Sequence, residues 1–387
     1  MFSTRFKWDL ETNQLAKLIE EKKRAGVKLL DLTESNPTRC GFVYPIELLS
    51  ALAKSEALRY DPHPRGLLSA RQAVAGYYQT RHQSIDPADI FLTASTSEAY
   101  SWLFKLLADS GDTILVPQPS YPLFEFLATL EGIELQPYQL HYVHPRGWRL
   151  DFDSLRQSLT SRTRAIIIVN PNNPTGSYLK QSEYAQLQEF CQEHQLALIV
   201  DEVFNDYNLD GDADGVTDFT KTSGLTFVLN GFSKMLGLPQ MKLGWIVVQG
   251  AGAVRSEAEI RLELIADTFL SVNTPVQCAA PEWFRQRFLI QQQILNRAKT
   301  NRSFLAQAVE NSACRLLRME GGWGAIIEVP RHCPEEELVL RLVADDNILV
   351  HPGYFFDFSR EAFLIVSLLP GPEIFQEAIT KILARIG

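Results

Sequence analysis

Between residues 90 and 248 short apolar runs alternate with amphipathic segments, and this alternation leaves few folds open. Ile90 to Thr93, Ile114 to Pro117, Ala165 to Val169, Leu196 to Val200, Phe227 to Leu229 and Gly244 to Val248 read as strands. Ser95 to Ala108 sets Ala99, Trp102, Leu103, Leu106 and Leu107 on one helical face, and Leu123 to Glu131 and Ser182 to His194 are further helices. Strands joined through helices predict a mainly parallel sheet covered on both faces. Runs such as Ile166-Ile167-Ile168-Val169 fit strands buried on both sides. The expected class is α/β, a large domain with a mainly parallel sheet between helices.

The flanks read differently. Residues 9–25 predict a helix striped by Leu10, Leu15, Leu18 and Ile19. A strand-like piece from Leu29 then breaks at Asn36-Pro37-Thr38-Arg39. Arg59 to Gly66 is another turn, ahead of a helix from Ala70 to Tyr78. After residue 280 a helical pattern runs to about Asn311, followed by a glycine-rich strand region (Gly321 to Val329), a charged helix (Glu335 to Ala344) and a last strand and helix (Phe363 to Leu368, Pro372 to Ile386). At 387 residues the chain exceeds one simple core. The expected division is an arm at 1–40 packing with the small domain, a large domain at 41–280 and a smaller α+β domain at 281–387, linked by a long helix at about 283–310.

Composition excludes several classes of function. A net charge of −9 argues against nucleic-acid or anionic-membrane partners. Met1 to Asp9 has no apolar core of a signal peptide, and the longest apolar runs are too short for a bilayer. Five scattered cysteines without CxxC spacing fit reduced thiols in a cytoplasm. The one close histidine pair, His141-x-x-His144, lies beside prolines in a surface-hairpin pattern, so no metal is expected.

Polar residues gather at the predicted strand ends, where open α/β sheets hold ligands. Thr93-Ala94-Ser95-Thr96-Ser97-Glu98 offers hydroxyls and N–H groups at a helix start, an anion site, although Ser95-x-x-Glu98 equally reads as a capping box. Pro119-Ser120-Tyr121-Pro122 offers an aromatic plane, or a core tyrosine. Asn170-Pro171-Asn172-Asn173-Pro174-Thr175-Gly176 is a turn with spare amides. Asp201 ends a wholly apolar strand, where a carboxylate needs a cation or a helix to cap. Asn230-Gly231-Phe232-Ser233-Lys234 places a lysine just past another strand, where lost solvation makes an amine nucleophilic. Phosphate donors, a stacking face, a carboxylate for a ring nitrogen and an amine for an aldehyde are what pyridoxal phosphate requires.

With these motifs the chain resembles the class I/II aminotransferases, fold-type I pyridoxal phosphate enzymes. The resemblance runs from Asp31-Leu32 through Tyr60, Thr96-Ser97-Glu98-Ala99, Asn172-Asn173-Pro174-Thr175-Gly176, Asp201-Glu202-Val203 and Ser233-Lys234 to Val350-His351-Pro352-Gly353. It implies a seven-stranded type of sheet, a Schiff base and proton shuttle at Lys234, Asp201 on the pyridine nitrogen, Asn173 on the ring hydroxyl and Tyr121 on the ring face. It further implies that Ser95, Thr96, Ser97, Ser233 and Lys242 serve the phosphate, and that Tyr60 reaches the neighbouring site of a homodimer.

Four positions depart from the pattern. Lys242 stands for an arginine on the phosphate, losing the bidentate fork. Gly231 stands for a serine. Phe204 stands for a tyrosine that donates to the ring hydroxyl, which is expected to raise the Schiff-base pKa. Ile365 stands for the arginine that grips the substrate α-carboxylate. Arg39, with Asn36 beside it, is the candidate replacement; its bland alternative is a surface arginine. The leading expectation is an aminotransferase acting on an amino acid or amine and an oxo acid. A lyase, decarboxylase or racemase on the same fold, or a non-catalytic cofactor-binding protein, are the alternatives.

Overall fold

The computed structural model describes residues 2–5, 11–210 and 214–387. Its large sheet has eight strands, ordered Ile90–Thr93, Gly244–Gln249, Thr226–Gly231, Ala197–Asp201, Thr163–Val169, Thr113–Gln118, Glu134–Val143 and Gly147–Leu150. The five from Thr226–Gly231 to Glu134–Val143 run parallel, whereas Gly244–Gln249 is antiparallel to both its neighbours. Side chains alternate across the strands into two separate cores. Ile166, Ile168, Leu198, Val200 and Val228 pack with Val74, Tyr78 and Trp283 on one face. Ala165, Ile167, Ala197, Ile199 and Phe227 pack with Leu103, Leu127 and Leu262 on the other. This explains strands without polar alternation, each buried isoleucine contributing about 1.5–3 kcal/mol.

The eighth strand, Gly147–Leu150, closes a hairpin with Glu134–Val143. There His141 lies 2.6 Å from Asp151, whose carboxylate also caps the Phe152–Gln157 helix. The helix Gly252–Phe269 was not legible, because Val254, Ile260 and Leu264 are more than 60% exposed and leave no one-sided stripe. The long helix spans Thr274–Val309, starting well before residue 283; Asn273 caps it and Pro275 sits in its first turn. The first helix is Gln14–Arg24, capped by Asn13, while Leu10 lies outside the described residues.

A smaller antiparallel sheet joins Arg315–Leu316, Gly324–Glu328, Phe363–Ser367 and His351–Pro352. The amino-terminal segment belongs with it: Leu30 and Asp31 pair with Ile348 and Leu349, and Leu15 and Leu32 share a core with Leu338, Leu364 and Phe375. Glu335, 2% exposed, accepts hydrogen bonds from the Tyr354, Ala362 and Phe363 N–H groups at 3.0, 2.9 and 2.8 Å. Glu335→Ala is expected to lower stability by about 3 kcal/mol, and Glu335→Gln by less, by chemical denaturation. An unchanged midpoint for the alanine variant would contradict this role.

Candidate active site

The parallel strands end on one rim, and their loops bring the polar motifs together. Asp201 closes its strand with 7% exposure. It accepts hydrogen bonds from the Val203 N–H at 3.1 Å and the Tyr100 hydroxyl at 3.0 Å, and has no ion pair among the described residues. Burial is the main influence on its carboxyl, pushed up to about 6, with Glu202 adding to the rise and Lys234 opposing it.

Lys234 lies on the next strand's exit, in the short helix Phe232–Met235. Its amine stands 5.6 Å from the centroid of Phe204 and 5.3 Å from that of Trp323. Burial holds the amine below the ordinary lysine value, and the Asp201 charge partly counters this. The backbone beneath it is pinned: the Tyr207 hydroxyl donates to the Lys234 carbonyl at 2.7 Å, and the Gln291 amide donates to that of Met235 at 2.9 Å. Tyr100, Tyr207 and Trp323 gave no signal in the sequence. A hydroxyl or indole on an apolar face carries no sign of what it will reach, although Tyr100 follows Thr96 by one helical turn.

The anion-binding turn abuts this lysine turn. A Cβ placed on Gly244 would lie 3.0 Å from Thr93 Oγ1, 3.1 Å from the Ser95 carbonyl carbon and 3.2 Å from the Asn230 oxygen. The Ser95 hydroxyl caps the helix by accepting from the Glu98 N–H at 3.2 Å, while Glu98 accepts from the Ala94 N–H at 2.6 Å. Thr96, Ser97 and Ser233 are half-buried, and their hydroxyls have no hydrogen-bond partner among the described residues. Gly231 has extended backbone, and a Cβ there would come within 3.0 Å of the Leu243 oxygen and 3.1 Å of Gly244 Cα, so a serine would crowd the neighbouring strand. Lys242 is exposed, in a left-handed conformation at φ 53°.

Asn170 ties its loop to the aspartate, its N–H donating to the Asp201 carbonyl at 2.8 Å. Asn172 braces the turn by accepting from the Thr175 hydroxyl at 2.9 Å, which leaves the half-buried Asn173 side chain without a hydrogen bond among the described residues. Tyr121 is 46% exposed, beside Ser120, whose N–H donates to the Phe356 carbonyl across the two sheets at 3.0 Å. Tyr60 is 76% exposed.

Asn36 caps a single 3-10 turn, accepting from the Thr38 hydroxyl at 2.8 Å, and Pro37 lies against Gly237 in the turn after the lysine. Arg39 is not drawn inward: its side chain is 74% exposed and sits 3.8 Å from Glu34. Ile365 is 4% exposed among Trp148, Leu317, Ile326, Phe356 and Phe363. An arginine there would be buried without a partner, so Ile365→Arg is expected to lose more than about 3 kcal/mol of stability and gain no turnover of amino acids. A stable variant with raised amino-acid turnover would overturn this.

An amine of lowered basicity, a buried carboxylate without an ion pair among the described residues, and unpartnered hydroxyls at a helix start form the donor set of a fold-type I pyridoxal phosphate enzyme. The sequence profile of aminotransferase class I and II matches residues 11–382, and the chain belongs to that family of pyridoxal phosphate-dependent transferases. It is 28% identical to the glutamate-pyruvate aminotransferase AlaA of Haemophilus influenzae, over 92% of this chain and 90% of that one. It is 27% identical to the alanine aminotransferase of Mycobacterium tuberculosis, over 92% of this chain and 85% of that one. The solved alanine aminotransferase of Pyrococcus furiosus superposes with a TM-score of 0.90, at 24% identity, covering 100% of this chain and 99% of that chain. No described helix is long and apolar enough to cross a membrane.

Proposed function

We propose that Lys234 is the reacting amine of this aminotransferase and that Asp201, Asn173, Tyr121, Thr96, Ser97 and Ser233 hold its cofactor. The observation that carries this reading is the pairing of a desolvated Lys234 amine with the buried Asp201 carboxylate on adjacent strand ends. Pyridoxal phosphate supplies an aldehyde and an electron-withdrawing ring. The chain supplies the rest. With the cofactor in place Lys234 would serve as the neutral amine, nucleophilic only once freed of its proton, and would hold and move the proton at the carbon bearing the amino group. Asp201 would hold the ring nitrogen, whose positive charge would favour the ionised carboxylate. The half-buried hydroxyls of Thr96, Ser97 and Ser233, the free N–H groups of the helix start and the Lys242 ammonium suit a phosphate dianion. The Ser95 hydroxyl accepts from the Glu98 N–H in the cap and keeps its own O–H to donate alongside the main chain.

The names of the relatives make alanine and glutamate, with their oxo acids, the first donors and acceptors to test. The buried Ile365 supports a second reading, in which the substrate carries no α-carboxylate or the reaction is a lyase's or decarboxylase's. Arg39 and Asn36 remain the proposed carboxylate contacts under the first reading, which requires Arg39 to swing from its exposed position. Adding amino acids and simple amines separately to the loaded protein separates these readings. Loss of the visible band with amino acids, together with a raised Michaelis constant in Arg39→Ala, supports the first; a response to amines alone supports the second.

A homodimer completes the proposal. Leu58, Tyr60, Leu68, Ile260, Leu264 and Phe288 are all more than half exposed, an apolar set that a second copy would cover while delivering Tyr60 to the neighbouring phosphate. Elution at the monomer mass would remove both. A cytoplasmic location is inferred from five free cysteines, four of them buried.

A further inference from the structure

Behind the site, on the sheet face turned away from Asp201, lies a polar cluster that the reaction described above does not use. Glu202 is 1% exposed and joins three elements. Its Oε1 accepts from the Tyr78 hydroxyl at 2.6 Å and from the Asn230 amide at 3.2 Å; its Oε2 accepts from the Asn205 amide at 3.1 Å. Arg81 approaches that Oε2 at 3.9 Å and donates to the Tyr77 hydroxyl at 2.6 Å, which donates to Asp206 at 2.9 Å. Trp245 donates to Tyr78 from the adjacent strand at 3.1 Å. Asn230 in turn accepts from the Gly231 N–H at 2.7 Å, at the point where the chain leaves its strand for Lys234.

A buried carboxylate is costly to desolvate, and apolar residues of similar volume often serve stability as well. Stability alone therefore does not explain why the carboxylate sits one residue from Asp201 with its Oε1 bonded to Asn230 on the Lys234 strand. We propose that Glu202 is a positioning residue of the transfer reaction: it clamps the ends of the Asp201 and Lys234 strands in register and sets a second carboxylate beside Asp201. The inference rests on the assignment of Lys234 and Asp201 above.

The charged and titratable groups around Glu202 are Asp201 and Asp206 on its own segment, Tyr77, Tyr78 and Arg81 on the helix Leu68–Gln79 and just beyond it, Tyr178 from the asparagine loop, and Arg287 from the long helix facing Asp206. Of the titratable groups facing Asp201, Tyr100 and Lys234 complete the set. Removing the Glu202 charge makes each of its neighbours release a proton more readily. Loosening the clamp misaligns the reacting groups without touching bound substrate.

The test is Glu202→Gln in the dimeric, cofactor-loaded enzyme, alongside Tyr78→Phe. In Glu202→Gln the pH midpoint of the visible cofactor band is expected to fall by about half a unit or more, and kcat to fall at least about tenfold with KM nearly constant. In Tyr78→Phe, which keeps the charge and removes one bond of the clamp, kcat is expected to fall while the midpoint stays. A folded Glu202→Gln enzyme with unchanged midpoint and kcat overturns the proposal. If Glu202→Gln does not fold, a Tyr78→Phe enzyme with unchanged kcat overturns it instead. A wild-type protein without any visible band contradicts the Lys234 assignment itself, and so is distinguishable from failure of the Glu202 proposal.

Discussion

Lys234→Ala is expected to abolish the visible absorbance of the purified protein and to reduce turnover by at least about 10⁴-fold. The size follows from the two tasks given to one atom. In the proposed roles the amine would serve both the cofactor's aldehyde, as nucleophile, and the proton at the substrate carbon, as acid and base, proton transfer alone contributing about 10²–10⁴-fold. The other nearby amines are committed or exposed: Lys180, buried, is bound to Glu320 at 2.6 Å, and Lys242 is exposed. The fold should survive, since Tyr207 and Gln291 hold backbone carbonyls and not the lysine side chain. Lys234→Ala measured by absorbance, steady-state rate and thermal melting therefore separates loss of chemistry from loss of structure. Residual turnover above about 1% of wild type would show that another group does the work.

Asp201→Asn is expected to be inactive yet more stable than wild type when free of cofactor. The Asp201 carboxyl is raised from 3.8 to about 6 in the folded protein. The folded state then holds its proton more tightly than the unfolded chain does, so this residue detracts from stability as pH rises from about 4 to about 6, and the full penalty stands above that window. A rise of this size corresponds to about 3 kcal/mol, and an asparagine removes that charge while its one oxygen still accepts from the Val203 N–H and its amide turns to donate to the Tyr100 hydroxyl. The expected gain at pH 7 is about 1–3 kcal/mol, vanishing below about pH 4. Added pyridoxal phosphate should stabilise the wild type and have little effect on the variant. Urea denaturation at pH 4 and pH 7 checks this, and a variant less stable than wild type at pH 7 would contradict it. A residue that weakens the empty protein while serving its ligand is a trade-off expected at functional sites.

How much was legible in the sequence follows from these residues. The strand bearing Asp201 and the turn bearing Lys234 were readable because a charge at the end of an apolar run is costly unless used. The Leu123–Glu131 and Pro372–Ile386 helices appear with the boundaries read from the sequence. What escaped was set by tertiary contact. Tyr207 and Trp323 come from distant parts of the chain and meet at 4.9 Å around the lysine. The helix Gly252–Phe269 leaves Val254, Ile260 and Leu264 exposed, so its apolar residues mark no single buried stripe. The exposed Arg39 shows the limit in the other direction: a charge next to a suggestive turn says nothing of where its side chain will lie.

Reduction of the loaded protein with borohydride, followed by digestion and mass spectrometry, tests the central assignment most directly. With trypsin as the protease, one modified peptide is expected, Thr222 to Lys242, uncleaved after Lys234 and carrying the pyridoxyl mass there. A label on Lys180, on Lys242 or on no lysine would contradict it.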